Sequence, residues 1–185
     1  MGESKINMNS YTVRKASILD KNQIFSLYKI VSKTLGGLAR NSHEITTAYI
    51  DNFCSKSQAS GIQLIIEDKG NIVAEIHCYK LEPSVFHHVL SELTIAVDPN
   101  YQGKGLGKLI FQSLLNIIEE ERADILRLEL IARESNQKAI QFYQKLGFVI
   151  EGRFEKRISA SSNSFEADIP MAWFNPNFNN SINPQ

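Results

Sequence analysis

The stretch "ELTIAVDPNYQGKGLGKLIFQSLL", Glu92 to Leu115, admits few folds. Its first residues are apolar and β-branched, the composition of a strand. Leu106, Leu109, Ile110 and Leu114 then recur at helical spacing, continued by Ile117 and Ile118, and make the apolar face of a helix of about four turns. Between the two lie three glycines at every second position, Gly103, Gly105 and Gly107, with Lys104 among them and Lys108 after them. A strand that turns through glycines into a helix sets unpaired N–H groups and the positive end of the helix dipole at the turn. Glycine also removes the Cβ that would hold a ligand off that backbone. The unit is that of an anion site, for phosphate or pyrophosphate.

The spacing excludes two familiar phosphate loops. A P-loop needs G-x-x-x-x-G-K-[ST]; Gly103 to Gly107 is one residue too short, and Leu109 stands where the hydroxyl for magnesium belongs. A dinucleotide loop needs G-x-G-x-x-G; its last position falls on Lys108 or on Ile110. Formal net charge is zero over 185 residues, so neither nucleic acid nor a membrane surface is favoured as a partner, and any anion site must be local. Cys54 and Cys78 lack metal spacing and read as free thiols in a reducing cytosol. No metal site is expected: His77 has no second ligand at metal spacing. No apolar run is long enough to span a bilayer. The opening "MGESKINMNS" does not resemble a signal peptide, and Ile6 stands where a myristoylation motif wants Ser or Thr. The expected setting is cytoplasmic.

Helical and strand patterns alternate along the rest, which predicts an α/β (α+β) fold in one domain. The expected layout is an extension over 1–10, the domain over 11–174, and a loose tail over 175–185, rich in Asn and Pro. "YTVRKAS" reads as a strand, and Asp20 as the cap of a helix carrying Ile24, Leu27, Tyr28 and Val31. "HEITTAYIDNFCSKSQ" reads as a second helix, and "IQLIIEDKGNIVAEIHCYKL" as a hairpin turning at "EDKGN". "ILRLELIA" alternates Arg127 and Glu129 against Leu126, Leu128 and Leu130, a half-buried strand. "SNQKAIQFYQKLG" is a helix with Gly147 at its left-handed end. "FVIEGRFEKRI" and "FEADIPMAWF" read as two closing strands. The run Glu119-Glu120-Glu121 reads as a solvated helix end.

The loop fits the pattern [RQ]-x-x-G-x-[GA] as Gln102, Gly103, Lys104, Gly105, Leu106, Gly107. In this it resembles the acetyl-CoA loop of the GNAT superfamily of N-acetyltransferases. "ESNQKAIQFYQKLGF" is similar to that family's following helix, of the form N-x-x-A-x-x-x-Y-x-x-x-G-F, and "GFVIEGRFEKR" with "DIPM" to its closing strands. The strong match covers Glu92 to Gly152. The resemblance implies a mixed, mostly antiparallel sheet of about seven strands with about four helices, splayed between its fourth and fifth strands. It implies acetyl-CoA as co-substrate, with the pantetheine paired to Ile95, Ala96 and Val97. The amides from Gln102 to Lys108 would hold the pyrophosphate, and Asn136 would reach the pantetheine or acyl end.

Transfer of an acetyl group from a thioester to an amine needs a base for the amine, donors for the oxyanion and an acid for the leaving thiolate. A backbone N–H near Ile95 would meet the oxyanion. Tyr143, at the family's tyrosine position, is the expected acid and sulfur contact; its place on a stripe with Ala139 and Leu146, with Ile140 and Phe142 beside it, equally suits a packing role. Glu92 is the expected base, directly or through water, with His87 or His88 as the other candidates. Strict alternation sets Glu92 opposite to Ile95 unless a bulge intervenes. The acceptor is a primary amine of a small molecule, an amino acid or a polyamine among them; a polyamine would favour acidic residues such as Glu44, Asp51 and Glu92. A protein N-terminus or lysine is the alternative acceptor, and a non-catalytic acyl-CoA-binding module the alternative of another class. The resemblance also makes a homodimer an expectation.

Overall fold

The computed structural model describes residues 11–34, 38–161 and 164–179. The chain runs β1 (Thr12–Lys15), α1 (Lys21–Val31), α2 (Thr47–Ser60), β2 (Gly61–Asp68), β3 (Asn71–Lys80), β4 (Val89–Val97), α3 (Leu106–Glu121), β5 (Arg127–Arg133), α4 (Gln137–Lys145), β6 (Val149–Ile150), β7 (Phe154–Ser161) and β8 (Ser164–Phe174). The strands form one sheet in the order β1-β2-β3-β4-β5-β8-β6, with β7 paired to β8. Among the described residues that is eight strands where the sequence suggests about seven. The extra one arises because "FVIEGRFEKRI" breaks at Glu151–Arg153 into β6 and β7. Contacts divide the chain into two compact units, Met1–His77 with Thr94–Leu115, and Cys78–Leu93 with Asn116–Gln185. Among the described residues no helix is long and apolar enough to cross a membrane.

In the first unit, β2 and β3 are buried over successive residues, Ile62 to Ile66 and Ile72 to His77, so both faces of these strands are covered. α1 contributes Ile24, Leu27, Tyr28 and Val31, and α2 contributes Ile50, Phe53 and Cys54. The β2–β3 hairpin turns on Lys69 and Gly70, both at positive φ (51° and 80°), the conformation of a two-residue turn that matches strand twist. Asp20 stands at the cap position of α1 but does not cap it. Its carboxylate instead accepts from the Ser17 amide at 2.7 Å and from both terminal nitrogens of Arg14 at 2.8 Å. The expected second helix begins later than the sequence suggests: residues 42–44 form a separate 3-10 turn, and Thr46 caps α2 by accepting from the Tyr49 amide.

In the second unit, β5 alternates as expected, burying Leu128, Leu130 and Ala132. Opposite these across the antiparallel β5–β8 pair lie Trp173, Met171 and Ile169, also buried. Gly147 closes α4 at φ +94°, and a Cβ there would meet the Trp173 ring at 3.4 Å. The expectation of a loose tail from Asn175 is corrected for its first residues. Asn175 is 4% exposed, and its amide nitrogen donates to the carbonyls of Ile118, Arg122 and Ile125. The Asn179 amide donates to the Ala123 carbonyl at 2.9 Å. The Asn177 side-chain amide also donates to the Glu119 carbonyl in the last turn of α3 at 3.1 Å, and together these bonds hold the segment against the end of that helix and the loop after it. Residues 180–185, the rest of that tail, and 1–10 lie outside the described residues.

Candidate functional site

The glycine loop lies in the first unit. Asp98 opens it: its side chain accepts from the Asn100 amide at 2.8 Å, and its own amide donates to the Val73 carbonyl. The Tyr101 hydroxyl donates to Asp68 at 2.7 Å, which raises the phenol to about 12, and Lys104 lies over the Tyr101 ring at 4.2 Å. Gly103 and Gly105 take φ +76° and +80°, a region that favours glycine. The first bond into α3 runs from the Leu109 amide to the Gly105 carbonyl, so the amides just before it stand at the helix end without an intrahelical partner. Gln102, Gly103, Gly105 and Lys108 are exposed, Lys104 and Gly107 half-buried, and Leu106 is in the core. A Cβ on Gly103 would meet nothing within 4 Å, and one on Gly107 would only reach Val97 at 4.0 Å. Space is therefore open where an anion would lie.

β4 leads into this loop. Its parallel pairing with β5 sets Val89 opposite Arg127 and Leu90 opposite Leu128. Two residues on, Glu92 takes φ +54°, rare for a residue with a side chain. Up to Ser91 the strand is buried; beyond Glu92, Leu93, Thr94, Ile95 and Val97 are half-buried and Ala96 is buried. A left-handed residue breaks the two-residue alternation, so counting from Ile95 does not give the face of Glu92. The Glu92 side chain is exposed. His87 is exposed and His88 half-buried; the His88 carbonyl accepts from the Leu126 and Arg127 amides just before β4.

Asn136 and Tyr143 are on α4, in the second unit. Asn136 caps the helix, its side chain accepting from the Ala139 amide at 3.2 Å. Tyr143 is half-buried, its ring 5.5 Å from Phe142 and 6.0 Å from Phe148. Burial pushes its phenol up to about 12, so it holds its proton throughout the neutral range.

Two polar groupings were not singled out from sequence as sites. The first is a buried hub in the first unit. Glu75, wholly buried, accepts from the Tyr28 hydroxyl at 2.7 Å and from the Gln63 amide at 2.8 Å, with His77 Nδ1 at 3.1 Å. The His77 ring stacks on Phe53 at 3.9 Å. Burial, with Glu75 beside it, raises the Tyr28 phenol well above its usual range and keeps it a donor. Its signal is "AEIHC", two ionisable residues at alternate positions of an apolar strand. The second grouping is in the second unit. Arg133 on β5 faces Asp168 on β8; Arg133 approaches Glu166 at 3.4 Å, and Arg157 approaches Asp168 at 3.3 Å. Its charges are spread over three strands, so no local pattern announces it.

Of the acids named for a polyamine, Asp51 is paired with Lys21 at 2.7 Å beside a cleft of about 310 Å³ between the starts of α1 and α2, and Glu44 accepts from the Asn41 amide at 2.7 Å. Among the described residues no group of three or more His, Cys, Asp and Glu stands together as a metal site would require.

Residues 25–148 match the model of the acetyltransferase (GNAT) family. The chain belongs to the GNAT family. The [ribosomal protein bS18]-alanine N-acetyltransferase of Escherichia coli (strain K12) is 44% identical over 63 residues, which is 32% of this chain and 41% of the relative. The spermidine N(1)-acetyltransferase of the same strain is 38% identical over 69 residues, 35% of this chain and 34% of that protein. The chain thus spans less than half the length of the curated relatives it matches. A GNAT superfamily phosphinothricin acetyltransferase from Sinorhizobium meliloti, solved in complex with acetyl-CoA, superposes with a TM-score of 0.76 over 95% of this chain and 93% of that one, at 16% identity. At that identity the likeness is one of fold. The GNAT assignment agrees with the mixed sheet, the parallel β4–β5 pair and the glycine loop before α3.

Proposed function

We propose that the protein is an N-acetyltransferase that moves an acetyl group from acetyl-CoA to a primary amine by direct transfer. The observation that carries this is the loop from Gln102 to Lys108: glycines in left-handed conformation, open space beside Gly103, and the first turn of a sixteen-residue helix. That geometry fits a pyrophosphate, held by amides of the loop with Lys104 and Lys108 adding charge. Bound there, acetyl-CoA supplies an acetyl thioester already activated for attack.

The remaining roles fall to the chain's own residues. Ile95, Ala96 and Val97 offer half-open strand backbone to the pantetheine, and an amide near Ile95 offers a donor to the oxyanion. Asn136 lies at the start of the helix whose Tyr143 hydroxyl is the acid for the departing sulfur. Because burial raises its phenol to about 12, Tyr143 keeps its proton through the neutral and mildly alkaline range. Glu92, exposed on the left-handed turn of β4, is the base that draws the amine proton directly or through water.

The test is thiol release from acetyl-CoA in the presence of a panel of primary amines, with calorimetry for acetyl-CoA itself. Amine-dependent release is expected, falling at least tenfold in kcat for Tyr143→Phe while the acetyl-CoA Kd changes by less than threefold. Tight binding with no amine-dependent release would mean a binding module and overturn the reading; unchanged turnover in Tyr143→Phe would reduce that residue to packing.

A further inference from the structure

We propose that Tyr101 is a positioning residue of the donor site: held by Asp68, its ring fixes the Lys104 ammonium on the glycine loop as the countercharge for the donor's pyrophosphate. The inference rests on the transferase reading above and names residues through which that same site holds its donor.

All three residues lie in the first unit, and the contacts among them are direct. Asp68 is the last residue of β2, and Tyr101 and Lys104 belong to the loop between β4 and α3. That loop is tied down before it reaches its glycines. The Asp98 amide donates to the Val73 carbonyl of β3 at 2.9 Å, and the Tyr101 amide donates to the Asp98 carbonyl at 2.8 Å. The Tyr101 hydroxyl donates to the Asp68 carboxylate at 2.7 Å. Backbone and phenol are thus anchored to the two strands of one hairpin, which sets the place of the ring.

Gly103 serves this arrangement. Gln102 at φ −64° and ψ 151°, followed by Gly103 at φ +76°, forms the centre of a type II turn, which the Lys104 amide closes on the Tyr101 carbonyl at 3.4 Å. The third position of such a turn takes positive φ, hence glycine. A Cβ on Gly103 would meet nothing within 4 Å, so within the protein the position demands a conformation and not room. The turn brings its first and fourth residues together, and these are Tyr101 and Lys104. The Lys104 Nζ accordingly lies 4.2 Å from the centre of the Tyr101 ring, close enough for the ring face to attract the cation.

Entropy and charge both give this contact an effect on binding. A lysine among glycines has a long, rotating stem, and ordering it around a ligand costs entropy. An ammonium already resting on an aromatic face has met much of that cost before the donor arrives. The bond from the phenol to a carboxylate makes the ring richer in electrons and strengthens its hold on a cation. Asp68 and Asp98 also place negative charge about the Tyr101 phenol. That charge favours an ammonium on the ring and by itself repels a phosphate. A fixed Lys104 offsets it beside Gly105, whose carbonyl accepts the first bond into α3. Lys104 is half-buried in this position, whereas Lys108 on the helix is exposed.

The test is a double-mutant cycle on acetyl-CoA binding, measured by calorimetry with the full chain at about 50 and about 200 mM salt. At the lower salt Lys104→Gln should raise the Kd about fivefold and Tyr101→Leu about threefold. The double variant should bind within about 1.5-fold of Lys104→Gln alone. Tyr101 carries no charge, yet its loss should flatten the salt dependence of the Kd as Lys104→Gln does, a change that a packing role would not produce. Tyr101→Phe keeps the ring without the Asp68 bond and should fall between, and Lys104→Arg should bind within about twofold of the parent. Acetyl-dephospho-CoA keeps the pyrophosphate and should lose as much affinity as acetyl-CoA on Lys104→Gln. Melting temperatures check that each variant is folded; if Tyr101→Leu is not, the cycle is run with Asp68→Asn, which leaves the ring in place and should give a smaller loss, again absent in the Lys104→Gln background. Additive losses, a salt dependence unmoved by Tyr101→Leu, tighter binding in that variant, or a Lys104 effect that vanishes with acetyl-dephospho-CoA overturns the inference while leaving the transferase reading intact. Failure of the parent chain to bind acetyl-CoA overturns both.

Discussion

Asp20 shows how far a single residue's role can be read before its neighbours are known. A capping acid at the start of a helical pattern was legible; that Arg14 and Ser17 would claim its carboxylate was not, because Arg14 reaches it from a strand whose path depends on tertiary packing. The Arg14 guanidinium holds the Asp20 carboxyl down to about 2, below the ordinary carboxylate range. A folded-state value below the unfolded one gives stability that is complete above about pH 4 and lost as the pH falls through about 2. Its size is about 2 kcal/mol for a shift of this order in a side chain only 8% exposed. Urea unfolding at pH 2 to 6 should show that loss in the parent chain, and Asp20→Asn should be less stable at pH 6 with a flatter profile. Parallel profiles would assign acid sensitivity to other groups. Tyr143 illustrates the same limit: spacing found it, but its half-buried setting, which fixes its proton, belongs to the folded state.

Elements were legible where the pattern is local. The Lys69–Gly70 turn, the alternation of β5 and the glycine end of α4 all follow from neighbouring residues. The left-handed residues Glu92 and Lys156 do not, since their side chains carry no preference for that conformation and the surrounding strands impose it. For the same reason the break between β6 and β7 and the closing of Asn175 onto α3 were missed. The loop before α3 gives the sharpest prediction for an element. Gly105→Val puts a β-branched residue at φ +80°, where it is strained, and sets a side chain against the bound pyrophosphate. The acetyl-CoA Kd should rise at least tenfold, with the circular dichroism spectrum unchanged at a temperature below the lowered melting point. An unaltered Kd in the folded variant would remove the loop from the donor site.

For the whole molecule, alternating patterns gave the α/β class and the order of elements, while the insertion of β8 between β5 and β6 rests on pairings far apart in the chain. Donor binding is a property of that whole. A ligand held only by the native state at a hundred times its Kd adds about 2.7 kcal/mol. In a chain of this size that raises the melting temperature by roughly 5–10 °C. Differential scanning fluorimetry with acetyl-CoA tests this; a melting point that stays fixed at that concentration argues against the donor assignment. The hub beneath α1 and α2 has a further consequence, for the history of the sequence. Glu75 is the common acceptor for a phenol, an amide and an imidazole drawn from three different elements. Loss of the acid removes the acceptor these three groups share, and loss of any one of them leaves a buried carboxylate with fewer donors. Tyr28, Gln63, Glu75 and His77 should therefore change together among homologues, as a block of co-varying columns, and single replacements should be rare.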